Sequence, residues 1–251
     1  MSISAVKIAF FVFFLFAGPV FYCNINMKLL QVVGRKLCRP VIWGDISTRP
    51  ISDDFGLSRG TPIDRYYIES FLQENSTDIR GTVLEIAEST YTKRFDHNVT
   101  SFEVLHVDAS NRKATIIGDL TQPKTLPESA VDCFICTQTL NFIFDVRRAV
   151  EGCFRLLKDG GVFLGTVSGI SQISRYDMNR WGDYWRFTDL SLKRLFAEYF
   201  GESNITIQTF GNVFAANAFL QGIAFEDVED KSLLDVNDPD YQVTLGIRAV
   251  R

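Results

Sequence analysis

Three carboxylates stand where apolar runs end: Glu85 in VLEI, Asp108 closing FEVLHVD and Asp119 closing ATIIGD. Short runs of this kind, rich in β-branched and aromatic side chains, read as buried strands. An acid at the exit of a strand has two ordinary uses. It caps a turn or helix, or it accepts both hydroxyl protons of a ribose in a bidentate contact. Asp108 follows the first run by roughly 20 residues, the spacing of a ribose-binding acid on a nucleotide-binding sheet.

Other chemistries find less support. The five cysteines, Cys23, Cys38, Cys133, Cys136 and Cys153, are odd in number and too sparse for a disulfide framework. Cys133-Phe134-Ile135-Cys136 has the C-x-x-C form inside an apolar run, where odd spacing sends the two thiols to opposite faces of a sheet. His97 and His106 lie apart from it, so no metal site is expected. A net charge of −4 over 251 residues argues against a nucleic-acid binder, which carries a basic surplus. Asn-x-Ser/Thr sequons begin at Asn75, Asn98 and Asn204, a number that chance explains.

The elements that must hold these acids alternate between strand and helix. Strands are expected over 82–86, 102–107, 114–117, 131–136, 162–167, 205–210 and 241–250. Thr61-Pro62-Ile63-Asp64 opens a helix with a capping hydroxyl, a first-turn proline and an acid favoured by the dipole. Val146, Ala149, Val150, Cys153, Phe154 and Leu157 recur at helical spacing, and Lys158-Asp159-Gly160-Gly161 is expected to end that helix on a glycine cap. Thr188 caps another helix, and 213–224 is an apolar helical stretch. The alternation predicts an α/β fold, a Rossmann-like doubly wound sheet of about seven strands with helices on both faces. Residues 61–251 form this domain. Residues 27–60 read as a basic and Pro/Gly-rich arm, and 1–26 as an N-terminal hydrophobic segment.

In order along the chain, VLEI, VDAS, GDL, VDCFICTQTLNFI and RLLKDGGVFLGTV resemble the class I S-adenosylmethionine-dependent methyltransferases of the type 11 group. The resemblance covers roughly 61–251. It implies a last strand running antiparallel, supplied by 241–250, and S-adenosylmethionine as cofactor. It also implies roles: Glu85 beside the methionine end of the cofactor, Asp108 on the ribose, and Asp119 with Leu120 near the adenine. Thr137 and Gln138 would border the methyl-transfer cleft. Asp159 stands where the family has proline. The family often carries a run similar to Asp183-Tyr184-Trp185-Arg186-Phe187-Thr188, so the loop 175–188 and the helix start at Arg65, Tyr66 and Tyr67 are expected to form the acceptor pocket. Arg65, Tyr66, Asp183, Tyr184 and Arg186 would line it, with Tyr184 and Arg186 facing the substrate and Trp181 and Phe187 packing beneath. An arginine fork there would fit a carboxylate, a phosphate or a sugar hydroxyl pair.

The chain departs from the family just after VLEI. Where the usual loop reads Gly-x-Gly-x-Gly, this one has Ala87, Ser89 and Tyr91. A non-glycine residue held in the left-handed region costs about 1–2 kcal/mol, and three would remove most of a typical cofactor affinity. The loop is therefore expected to leave the usual path, with Ala87 adding only a methyl group and the hydroxyls of Ser89 and Thr90 replacing lost amide contacts. Methyl transfer needs positioning and, for some acceptors, removal of a proton, so no fixed catalytic side chain is expected. Without Asn-Pro-Pro-Tyr or a Pro-Cys motif, a small-molecule or glycan acceptor fits better than a nucleic-acid base. Two other readings stay open. One is a catalytically degenerate methyltransferase fold serving as a binding scaffold; the other is a nicotinamide-dependent oxidoreductase, whose glycine fingerprint is missing. At the N-terminus, 8–22 carries no charge and Lys28, Arg35, Lys36 and Arg39 follow it. This reads either as a membrane anchor with a cytosolic domain or as an extension upstream of a soluble cytoplasmic protein starting at Met27.

Overall fold

The apolar runs become one seven-stranded sheet in the computed structural model, which describes residues 47–251. Its strands are β1 (Gly81–Ile86), β2 (Val99–His106), β3 (Ile116–Ile117), β4 (Val131–Thr137), β5 (Leu157–Ser168), β6 (Ile205–Phe210) and β7 (Thr244–Val250). Their spatial order is β3-β2-β1-β4-β5-β7-β6. The first five run parallel, and β7 lies antiparallel between β5 and β6. Strand order reverses between β1 and β4. The crevice outside their carboxyl ends is therefore where this topology receives a ligand.

Seven α-helices accompany the sheet among the described residues: α1 (Ile63–Glu74), α2 (Thr90–Arg94), α3 (Val146–Leu156), α4 (Arg175–Met178), α5 (Asp189–Phe200), α6 (Val213–Leu220) and α7 (Ser232–Asp235). The two-residue period of the strands sorts the core into layers. On one side Leu84, Phe134, Cys136 and Phe163 pack with Ala149 and Cys153 of α3 and Phe196 of α5. On the other, Val83, Cys133, Ile135 and Leu164 pack with Phe71 and Leu72 of α1. Cys133 and Cys136 thus fall in different layers, both free and fully buried, as the odd spacing predicts. Each fully buried Leu or Phe of these layers contributes roughly 2–3 kcal/mol of transfer free energy.

Local signals decided most element ends, and two were overruled. Thr188 caps α5 in a reciprocal box with Ser191. At α1, however, Thr61 gives its hydroxyl and its N–H to the Glu226 carboxylate, and Pro62 occupies the cap position with no side-chain bond. Glycine does not cap α3 either. Leu157 already turns extended and pairs with Val131, because continuing β5 satisfies its backbone better than another helical turn. Gly160, at φ +76°, instead bends the start of the strand so that its N–H reaches the Arg251 carbonyl.

Residues 49–60 belong to the same unit as the sheet. Ser52 donates its N–H to the Gln221 carbonyl, and Arg59 forms a fork with Asp227 at 2.7 and 3.0 Å. Among the described residues no helix is long and apolar enough to cross a membrane. The apolar stretch 8–22 and the basic cluster after it lie outside the described residues.

Candidate active site

The exit of β1 sets the geometry. Ala87 sits at φ +63°, its N–H on the Leu105 carbonyl, and Glu88 donates back to the Ile86 carbonyl at 2.7 Å. This is a γ-turn with a positive central φ, a strained form. Asn111 closes the turn from outside with 2.7 Å to the Ala87 carbonyl. Ser89, at φ −118°, and Tyr91, inside α2, need no glycine. The loop needs one left-handed position and alanine occupies it, so it leaves the three-glycine path as expected and carries left-handed strain at that residue alone.

Glu85 turns away from the crevice. Only 4% exposed, it accepts from the Tyr91 N–H at 3.2 Å and from the N–H and hydroxyl of Thr92 at 3.0 and 2.9 Å. Burial pushes its carboxyl pKa up, and these hydrogen bonds oppose that push. Glu85 fastens the loop onto the start of α2. Neither it nor Ser89 nor Thr90 lines either of the two cavities described below.

A cavity of about 450 Å³ opens at the carboxyl ends of β1, β2 and β4. Ile86, Ala87, His106, Asp119, Leu120 and Gln138 wall it on the strand side, and Phe144, Trp181 and Tyr184 on the loop side. The Asp119 carboxylate accepts from Thr121 and Gln122 at 2.8 to 3.1 Å, which aims it along the cavity edge. Asp108 lies just outside the lining, exposed, with Ser110 N–H at 2.8 Å. The hydrogen bonds from Ser110 hold its carboxyl below the usual range, with His106 adding to the effect.

A second cavity of about 320 Å³ adjoins the first across Gln138, Phe142 and Asp177, which line both. Its other walls include Asp64, Asn141, Ser168, Ser174, Asp183 and Arg186. Gln138 is the hinge of the site. At φ +46° it donates its N–H to Thr166 and accepts from the Ser168 hydroxyl at 2.8 Å, while its buried side-chain nitrogen has no partner. The neighbouring Thr137, the last residue of β4, accepts at its carbonyl from the Thr139 hydroxyl and borders neither of these two cavities.

The loop after β5 departs from its expected division of labour. Phe187 is buried, but Trp181 is 48% exposed, edge-on to His106 at 6.1 Å, and walls the first cavity. Tyr184 faces that cavity too, against Phe144 at 5.3 Å. Arg186 borders the second cavity, but its donors are taken. It holds both oxygens of Asp183, at 2.6 and 3.0 Å, and the carbonyls of Ser171, Gln172 and Trp185. A guanidinium has five N–H groups, so none remains for a ligand. Arg65 and Tyr66 line neither cavity: Arg65 is exposed, and Tyr66 stacks on Phe225 and donates its hydroxyl to Asp235. It is their neighbour Asp64 that enters the site. His106, Phe142 and Asp177 also escaped the sequence reading. His106 closes β2, two residues before Asp108, which is a signal; the other two carry none.

Residues 54–165 match the model of the type 11 methyltransferase domain family. This stretch is a methyltransferase domain. The match spans the five parallel strands almost entirely, and the sheet order completes a class I S-adenosylmethionine-dependent methyltransferase fold. No curated protein matches the chain. Among solved structures, a SAM-dependent methyltransferase from Archaeoglobus fulgidus shares 12% identity over 74% of this chain and 94% of its own, with a TM-score of 0.48. The N-methyltransferase NodS from Bradyrhizobium japonicum WM9, crystallised with S-adenosyl-L-homocysteine, shares 13% over 80% and 94%, with a TM-score of 0.46. Likenesses at this level say nothing about the reaction of this methyltransferase domain.

Proposed function

We propose that the protein binds S-adenosylmethionine in the first cavity and transfers its methyl group to a small polar or glycan acceptor held in the second. The observation that carries this is the junction at Gln138: two cavities of ligand size meet at the switch point of the sheet, and a buried amide donor without a partner stands between them. The residues fit the cofactor. The first cavity offers an apolar floor, the Asp119 carboxylate at one end and Asp108 at its rim. A bound S-adenosylmethionine supplies a methyl group already activated on a sulfonium.

The protein's share of the chemistry is positioning. Asp108 accepts the ribose hydroxyls, Asp119 and Leu120 recognise the adenine edge, and Trp181 and Tyr184 close the cavity against water. Glu85 acts at one remove, by fixing the loop. Calorimetry with S-adenosylhomocysteine tests the reading. Wild-type protein should bind it, and Asp108→Ala should weaken binding by about 1.5–3 kcal/mol, the loss of a charge-assisted hydrogen bond. A folded protein that gives no heat at millimolar ligand would be a scaffold with a methyltransferase fold. Outside the described residues, the uncharged stretch 8–22 supports membrane attachment with this domain on the cytosolic side. Glycosylation at Asn75, Asn98 or Asn204 in cells would overturn that topology.

A further inference from the structure

The second cavity has an uneven balance of charge and of hydrogen-bonding capacity. Three carboxylates, those of Asp64, Asp177 and Asp183, face one guanidinium, that of Arg186. Arg186 and Asp183 neutralise each other through two hydrogen bonds, and the Asp183 side chain is 1% exposed. The remaining polar groups are mostly satisfied among themselves. Asn141 donates to the Trp185 carbonyl, Gln172 to the Asp53 carbonyl, and Ser174 to Asp177 at 2.6 Å. Two features are left over. The Gln138 amide nitrogen is buried without a partner, and Asp64 makes no salt bridge among the described residues.

We infer that the second cavity is a binding site for a cationic amine, with Asp64 as the carboxylate that receives the ammonium group and Gln138 donating to an oxygen of the same molecule. This rests on the methyltransferase reading and narrows its acceptor class. An anion is disfavoured by Asp64 and Asp177, two carboxylates without a salt bridge among the described residues, and the only cationic side chain in the wall has no donor left. A neutral polyol would satisfy Gln138 but leave the Asp64 carboxylate, half-buried in the wall, without a salt bridge, an unfavourable state. An amine supplies that charge. Burial already raises the Asp64 carboxyl to about 6, with the backbone N–H of Arg65 and the Arg65 charge working the other way. Besides Arg65, the ionisable groups around it are Tyr91, which senses its charge, and the cavity's own Asp177, Asp183 and Arg186. None of them gives Asp64 a salt bridge.

The test uses the full chain saturated with S-adenosylhomocysteine and three probes that share one ring: glucosamine, glucose and glucuronate. Glucosamine should bind at least tenfold more tightly than the other two at pH 7.5. Its affinity should fall as the pH drops through about 6 and Asp64 takes up a proton. Asp64→Asn should erase the preference and the pH dependence while leaving S-adenosylhomocysteine affinity within about twofold. Gln138→Leu should weaken glucosamine and glucose alike. A preference for glucuronate, no binding of any of the three at tens of millimolar, or an unchanged preference in Asp64→Asn overturns the inference. Where Asp64→Asn does not fold, Asp64→Glu takes its place, and an amine preference that survives with its pH dependence unshifted counts against Asp64. Failure of wild-type protein to bind S-adenosylhomocysteine is a separate result. It removes the methyltransferase reading itself.

Discussion

The two cavities that meet at Gln138 are built on opposite plans. The first is framed by the ends of strands, at Ile86, His106 and Gln138, and what it presents is mostly apolar surface edged by Asp119. The second draws its walls from separate stretches of chain, at Phe55, Asp64, Asn141 and 168–186, and its charged groups are largely bound to one another. A strand end is placed by the sheet and needs little else. A loop must be held by its own side chains, so residues with the look of ligand contacts become fasteners. Arg186 shows this most clearly. Its fork, chemically suited to a substrate carboxylate, ties the loop to Asp183 and three backbone carbonyls.

That comparison breaks first at Arg186. If the guanidinium is a fastener, Arg186→Ala strands the Asp183 carboxylate, whose side chain is 1% exposed, and should cost about 3–5 kcal/mol of stability. Urea unfolding should show a lower midpoint with an unchanged slope. The pH dependence carries a sign. Burial raises the Asp183 carboxyl, but the hydrogen bond from Arg186, the Ser174 N–H and the Arg186 charge outweigh it and hold the group below its usual range. That depressed folded pKa gives stability present above the unfolded value of about 3.9 and lost as pH falls through the folded value. In Arg186→Ala that contribution is absent, so the stability gap to wild type should be widest above about pH 4 and should narrow as the pH falls. A variant of wild-type stability that has lost only acceptor binding would make Arg186 a substrate contact after all.

Asp64 sharpens the same comparison from the other side, because it is not a fastener. Its carboxyl is raised to about 6 by burial, above the unfolded value of about 3.9. The folded state then holds the extra proton between these values, so this group favours folding below about pH 4 and the benefit is gone above about pH 6. Asp64→Asn should therefore be more stable than wild type at pH 8, by at most the roughly 3 kcal/mol that separates a carboxyl at about 6 from one at about 3.9, and little more stable at pH 4. Thermal unfolding at the two pH values reads the difference. A variant less stable at pH 8 would mean that the carboxylate is needed to hold the structure, and the division into fasteners and free groups would fail there.

What was legible in the sequence follows the same line. The strand ends at Glu85, Asp108 and Asp119 were found from short apolar runs, because the period of a buried strand and the acid that closes it are local facts. The opposed faces of Cys133 and Cys136 followed from spacing alone. The sequence marks Asp64 only as a helix-dipole acid, beside the more conspicuous Arg65 and Tyr66. Which of three consecutive helical residues points into the site depends on the rotation of α1 against the sheet, and that is fixed by contacts such as Tyr67 with Leu234 at 2.9 Å, far apart in sequence. Glu85 sits at the expected strand exit, where its carboxylate bonds the start of the next helix. A carboxylate at a strand exit serves a ligand or the next helix equally well, and only the position of the Tyr91 and Thr92 N–H groups decides.

The smallest effect concerns the glycine-free loop, which is also a wall of the first cavity through Ala87. Ala87 is held at φ +63° by the Leu105 carbonyl on its N–H and by Asn111 on its own carbonyl. Glycine there should relieve about 1–2 kcal/mol of left-handed strain and lose about 0.5–1 kcal/mol to the greater freedom of the unfolded chain. Ala87→Gly should therefore gain about 0.5–1 kcal/mol, the difference of these terms. Ser89 is the control. At φ −118° it has no strain to relieve, so Ser89→Gly should lose about 0.5–1 kcal/mol. The two substitutions restore two glycines of the same family motif, yet their signs should be opposite. Cofactor affinity should stay within about twofold in Ala87→Gly, because the backbone path is already the one glycine would take. Equal signs in denaturant unfolding would show that the loop does not turn at Ala87, and the first cavity would then lose the strand-end wall that distinguishes it from the second.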